Sequence, residues 1–151
     1  LGGSIDGKHL SFSPRIEEAG YLVEGFHPTA MIDVSDGFIQ DLEHLLVSSR
    51  AGAKIDLERI PISEVTRERT RGSRASAIRH ALTDGEDFEL LFTLPSKEGE
   101  RLEKGWLRRF RGLPLTRVGE IVSASSGRIE WYDGGRKLKR LWFRKKGFTH
   151  F

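Results

Sequence analysis

A chain of 151 residues is the size of one domain with one core, and 37% hydrophobic against 31% charged residues, with 17 glycines and 5 prolines, describes a globular, turn-rich protein rather than a disordered one. The absence of cysteine excludes disulfides and thiolate metal sites together, so any metal must be held by oxygen or imidazole, and a formal charge of +3 is too slight for the concentrated basic surface that nucleic acid requires. No run approaches the roughly 18 apolar residues of a membrane span, and "LGGSIDGKHLSF" lacks the basic, apolar and small-residue sections of a signal peptide, which reads as cytoplasmic; the opening Leu1, in place of Met, reads as a piece of a longer protein.

In chain order, Ser13-Pro14 followed by "RIEEAGYLVEG" predicts a short helix with Ser13 as N-cap, early glutamates and Gly25 at its end. "TAMIDV" is a short apolar run that suits a buried strand. After Gly37, the spacing of Phe38, Ile39, Leu42, Leu45 and Leu46 predicts an amphipathic helix stopped by Gly52. "AKIDL" alternates with Ala53, Ile55 and Leu57 on one face, as a half-exposed strand does. The Arg-rich "SEVTRERTRGSRASAIRHAL" predicts irregular structure before a short helix around Ala77, Ile78 and Leu82. "FELLFTL" is the clearest strand. Ser96 opens a helix in which Leu102, Trp106, Leu107 and Phe110 share a face. "TRVGEIV", "GRIEWY" and "RKLKRLWF" read as strands, with Asp133-Gly134-Gly135 a hairpin turn. The pattern gives an α+β fold, a mixed β-sheet flanked by α-helices, without repeats or a second core behind a linker.

Two acidic turns carry the chemistry. Asp33, Ser35 and Asp36 lie where a strand ends and a helix begins, so their oxygens should converge with the free N–H groups of the helix start. Carboxylates hold a hard cation while N–H groups meet anionic oxygens, which suits a Mg²⁺-bound phosphate. Helix capping by Ser35 or Asp36 explains much of the same pattern without a ligand. Asp33 is what capping leaves over, since a carboxylate ending an apolar run is costly unless paired or metal-bound. A calcium EF-hand fails, because counting from Asp33 puts Gly37 one position too early. The second turn, "TDGEDFELLF", crowds Asp84, Glu86, Asp87 and Glu89 before the strongest strand. Such a group is hydrogen-bonded, metal-bound or splayed into solvent, and an ordinary Asp-Gly turn remains open as its explanation.

The blocks "LSFSPRIEEAGYL", "AMIDVSDGFIQDLEHLL", "GAKIDLERIPIS", "ALTDGEDFELLFTLP", "VGEI" and "GFTHF" occur in an order that resembles the C-terminal domain of thiamine-monophosphate kinases, within the AIR synthase-related superfamily. The resemblance covers nearly the whole chain and is weakest from Glu64 to Arg79. It implies a PurM C-terminal domain-like fold, residues 1–151 as one domain, and an N-terminal ATP-binding domain outside these residues. It implies direct transfer of the ATP γ-phosphoryl group to thiamine monophosphate with several Mg²⁺ ions, and a homodimer formed through the missing domain. Position by position, Asp33 and Asp36 match metal ligands, Ser35 an ATP contact, and Glu86 and Phe148 substrate contacts, with no side chain matched as a catalytic base. A Phe so near the end of the chain also fits a core plug. Two departures stand out: "TDGEDF" replaces the usual Gly-Gly-Glu-Asp-Tyr, adding the charge of Asp84, and Phe148 stands where Tyr or Trp is also found.

Two other readings fit parts of the sequence. One is a sister ATP-dependent enzyme of the same superfamily. The other is a non-catalytic anion- or RNA-binding module, built on Arg136, Lys137, Lys139, Arg140, Arg144, Lys145 and Lys146 with Trp142 and Phe143 interleaved, although a solvated strand with buried aromatics explains the same letters. His9, His27, His44, His80 and His150 show no metal-ligand spacing, and the three Trp read as core.

Overall fold

The structure, a computed structural model, describes residues 1–2, 7, 10–123 and 126–143. Phe148, His9, His150 and the basic residues 144–146 lie outside them. Among the described residues, five α-helices and six strands follow in the order α1 (Ile16–Phe26), β1 (Ala30–Asp33), α2 (Phe38–Ser48), β2 (Gly52–Asp56), α3 (Glu64–Arg69), α4 (Arg74–Thr83), β3 (Leu90–Thr93), α5 (Gly99–Arg109), β4 (Gly119–Val122), β5 (Ile129–Asp133) and β6 (Arg136–Lys137).

The mixed α/β character holds, but the strands divide into two sheets. β1 and β3 form an antiparallel ribbon, and β4-β2-β5-β6 form a four-stranded sheet in which β2 and β5 run parallel. Side-chain alternation makes the ribbon a wall between two apolar clusters. Met31, Leu90 and Phe92 pack against Leu22 and Phe26 of α1 and Leu102 and Trp106 of α5. Leu91 points the other way, into the larger cluster that joins Val34, Phe38, Leu42 and Leu46 to Ala53, Ile55 and Leu57, to Ile78 and Leu82 of α4, and to Trp131. Each such fully buried Leu or Ile stabilises the fold by about 1.5–3 kcal/mol.

The segment read as irregular before a helix forms two helices. Ser63 Oγ accepts from the Thr66 N–H at 3.2 Å and Ser73 Oγ from the Ser76 N–H at 3.4 Å, so each start is capped. Arginine, itself a good helix former, then occupies the solvent side while Ala77, Ile78, Ala81 and Leu82 face inward. Elsewhere the local signals misplace ends. α1 begins after the Ser-Pro pair, with Arg15 at its N-cap, and ends on His27 in the left-handed region; α2 stops at Ser48, and Gly52 opens β2. The hairpin is a two-residue Gly134-Gly135 turn, but β6 is only two residues long. Trp106 and Trp131 are buried, whereas Trp142 is 47% exposed and not core. A bidentate pair from Arg74 to Asp133, at 2.6 and 3.1 Å, ties α4 to that hairpin and holds the Asp133 carboxyl below its ordinary range.

α1 and α5 lie antiparallel at close range. Leu107, expected on the buried face of α5, is 73% exposed, because Gly105 occupies the position facing α1. A Cβ on Gly105 would collide with the Tyr21 hydroxyl, which sits among Phe26, Trp106 and Phe110. Gly105→Ala is therefore expected to lower stability by about 1–2 kcal/mol, an overpacking cost only partly offset by better helix propensity. In a Tyr21→Phe background, where the clashing oxygen is gone, the same change should be neutral or stabilising; chemical denaturation of the four variants measures it, and stabilisation of the single variant would contradict the packing.

Candidate active-site half

β1 and β3 are adjacent and antiparallel, with Asp33 opposite Leu90, so the residues after β1 meet those before β3. The two acidic turns are therefore one structure. Val34 donates its N–H to the Glu89 carbonyl at 2.8 Å, and the Val34 and Ser35 carbonyls accept from the N–H groups of Phe88 at 2.8 Å and Glu86 at 2.7 Å. The approach is close enough to need glycine: a Cβ on Gly85 would stand 2.5 Å from the Ser35 carbonyl oxygen. Glu86 and Phe88 adopt left-handed φ values of 63° and 51°, a conformation that costs non-glycine residues about 1–3 kcal/mol and is held here by those two hydrogen bonds.

The capping expectation is overturned. The N-cap of α2 is Gly37, not Ser35 or Asp36, and it has no side chain to cap with. The two amides just ahead of the helix are occupied from within the protein. The N–H groups of Ser35 and Asp36 both donate to Oδ2 of Asp41, at 3.0 Å each. Asp41 is 2% exposed. Burial pushes its pKa up, the two amide bonds pull it down, and the charges of Asp36 and Asp33 push it up again. Both site carboxylates thus act on the same buried group.

Asp33 is exposed, and among the described residues its side chain has no hydrogen-bond or ion-pair partner. Ser35 and Asp36 are half-buried, and the Asp36 carboxylate accepts from Gln40 Nε2 at 3.1 Å. Glu86 is half-buried beside them. Asp84 is drawn aside by His80, 2.9 Å from its Nδ1, so its charge is directed at α4. Asp87, fully buried, accepts from the Gly2 N–H at 2.9 Å. Glu89 forms a two-point pair with Arg15 at 2.9 and 3.0 Å.

Asp41, Arg15 and Phe12, whose ring stacks on Phe88 at 4.1 Å, were not singled out from sequence. Only Asp41 had a usable signal, since it falls on the apolar face of α2 defined by Phe38, Leu42 and Leu45. Among the described residues no three His, Asp or Glu side chains form a metal-holding group on their own. A groove of about 420 Å³, lined by Lys54, Asp56, Arg59, Arg117, Glu120 and Tyr132, contains none of the candidate residues.

No protein-family model matches the chain. It is 44% identical over 123 residues to the thiamine-monophosphate kinase of Rhodopirellula baltica, an alignment covering 81% of this chain and 37% of that protein. The chain corresponds to the C-terminal part of the thiamine-monophosphate kinase family. A crystal structure of thiamine-monophosphate kinase from Stenotrophomonas maltophilia superposes with a TM-score of 0.67 at 32% identity, over 83% of this chain and 37% of that one. A kinase structure described as AaThiL complexed with AMPPCP and TMP gives 0.68 at 26% identity, over 98% and 41%. The chain thus spans about two fifths of the kinases it matches.

Because the two turns are joined at Gly85, Gly85→Ala should force them apart. We expect a stability loss of about 1–3 kcal/mol, with faster amide exchange at Glu86 and Phe88. Unchanged protection at both amides would contradict the interlock.

Proposed function

We propose that this chain is the C-terminal domain of an ATP-dependent thiamine-monophosphate kinase. The whole enzyme moves the γ-phosphoryl group of ATP onto the phosphate oxygen of thiamine monophosphate: the bond from the γ-phosphorus to the β,γ-bridging oxygen breaks, a new P–O bond forms, and ADP and thiamine diphosphate leave. The observation that carries this reading is the direct hydrogen bond between the turn bearing Asp33, Ser35 and Asp36 and the turn bearing Glu86. It brings the positions matched to metal and ATP next to a position matched to substrate.

Phosphoryl transfer asks a protein chiefly for alignment and charge neutralisation. The residues fit that demand as half of a site. Mg²⁺ is held through one or two carboxylates together with substrate phosphates, and the exposed Asp33 and half-buried Asp36 would supply them. When bound, the ion would draw charge from the phosphate oxygens. Ser35 offers a hydroxyl to the nucleotide, and Glu86 a carboxylate to the cationic thiamine. Phe148, outside the described residues, keeps its proposed role of packing on the substrate rings. The remaining ligands and the opposite wall would come from an N-terminal ATP-binding domain. We further propose membership of the AIR synthase-related superfamily, a homodimer formed through that domain, and a cytoplasmic location; among the described residues no helix is long and apolar enough to cross a membrane.

The test is phosphoryl transfer by purified protein with ATP, Mg²⁺ and thiamine monophosphate. The full-length protein should form thiamine diphosphate, residues 1–151 alone should not, and Asp33→Asn should lower kcat/KM at least about 100-fold, equivalent to about 2.7 kcal/mol. No thiamine diphosphate from the full-length protein would overturn the assignment, turnover by the fragment would overturn the half-site reading, and an unimpaired Asp33→Asn enzyme the role of Asp33.

A further inference from the structure

Two consecutive peptide units, Val34–Ser35 and Ser35–Asp36, are gripped along both edges. Their C=O groups accept from the N–H groups of Phe88 and Glu86. Their N–H groups both donate to one oxygen atom, Oδ2 of Asp41, at 3.0 Å each. A peptide plane held on both edges cannot rotate about its flanking torsions, so the directions in which the Ser35 and Asp36 side chains leave the backbone are set.

Asp41 sits one turn into α2, beneath the acidic surface and almost wholly buried, where it reaches neither solvent nor a ligand on that surface. Burying a carboxylate is costly, and hydrophobic neighbours such as Phe38, Leu42 and Leu45 would favour an apolar residue at this position. What the carboxylate supplies is an acceptor for two adjacent amides that would otherwise be buried without partners or turned outward. The same peptide, Ser35–Asp36, is bonded to Asp41 on one edge and to Glu86 on the other. The metal-side and substrate-side turns are therefore coupled through it.

We propose that Asp41 is a positioning residue for phosphoryl transfer, fixing the orientation of Ser35 and Asp36 relative to Glu86 without touching nucleotide or substrate. The inference rests on the kinase reading. Its discriminating feature is the acceptor oxygen: Asn keeps one at the same place, and Ala removes it.

The experiment uses the full-length protein and the variants Asp41→Asn and Asp41→Ala, each at a temperature where circular dichroism shows it folded. Three quantities are read: amide exchange at Ser35 and Asp36, the dissociation constant for Mn²⁺ by calorimetry, and kcat. The Ala variant should exchange faster at both amides and lose about 10–100-fold in Mn²⁺ affinity and kcat, while Asn stays within about threefold of wild type. If the Ala variant does not fold, Asp41→Ser, whose hydroxyl is too short to reach the two amides, replaces it with the same expected outcomes. A folded Ala or Ser variant with wild-type kcat and Mn²⁺ affinity overturns the positioning role, as does an Asn variant as impaired as Ala. A wild-type protein that neither binds Mn²⁺ nor transfers phosphoryl overturns the kinase reading itself, whatever Asp41 does.

Discussion

The structure depends on one close backbone approach, the crossing of residues 33–37 over residues 84–89. Four backbone groups of Val34 and Ser35 are engaged there, three by the second turn and one by Asp41, and Gly85 is what lets the chains come near enough. Buried peptide groups must find partners. At this crossing they find them in each other, so two short acidic stretches about fifty residues apart in sequence become a single rigid feature. The β1–β3 ribbon continues this pairing, and the apolar clusters on its two faces clamp it from α1 and α5 on one side and from α2 and α4 on the other.

Rigidity at the crossing suits the proposed chemistry. Crowded carboxylates repel one another, and each must be paired or left to a ligand. Here the charges are sorted. Asp41 and Asp87 face inward to backbone amides, Asp84 meets His80, and Glu89 meets Arg15. Asp33 remains outward and unpartnered among the described residues. The four-stranded sheet is treated differently: Lys54 pairs with Glu120 and Lys137 with Glu130, which balances charge along it. The exposed carboxylate of Asp33 thus stands on the surface where the two turns meet.

Much of this was legible in the residues, and the failures have identifiable causes. The β1-turn-α2 unit and the strand after the second turn were readable because apolar periodicity there is strong and is interrupted only at the carboxylates. α4 was readable from Ala77, Ile78 and Leu82, whereas α3 was missed because arginine masks a helical pattern whose real marker is Ser63 at the cap. Leu107 was taken for core on helical spacing and Trp142 on residue type, but Gly105 rather than Leu107 meets α1, and β6 ends before Trp142. The positions of Asp33, Ser35, Asp36 and Glu86 could be matched to a family from sequence, yet their interlock could not, since hydrogen bonds between distant backbones leave no trace in residue identity except glycine. Asp41 was the one available clue: a carboxylate on a buried helical face implies a polar partner beneath it.

The central claim is that the crossing presents Asp33 as the metal-holding edge of a site completed by the rest of the enzyme. A crystal of the full-length protein grown with Mn²⁺ and AMPPCP tests it most directly through the anomalous scattering of the metal. The account predicts a Mn²⁺ peak within about 2.0–2.3 Å of an Asp33 carboxylate oxygen, with the Ser35 carbonyl still bonded to the Glu86 N–H. Metal bound only elsewhere, with Asp33 left in solvent or the two turns separated, would contradict it.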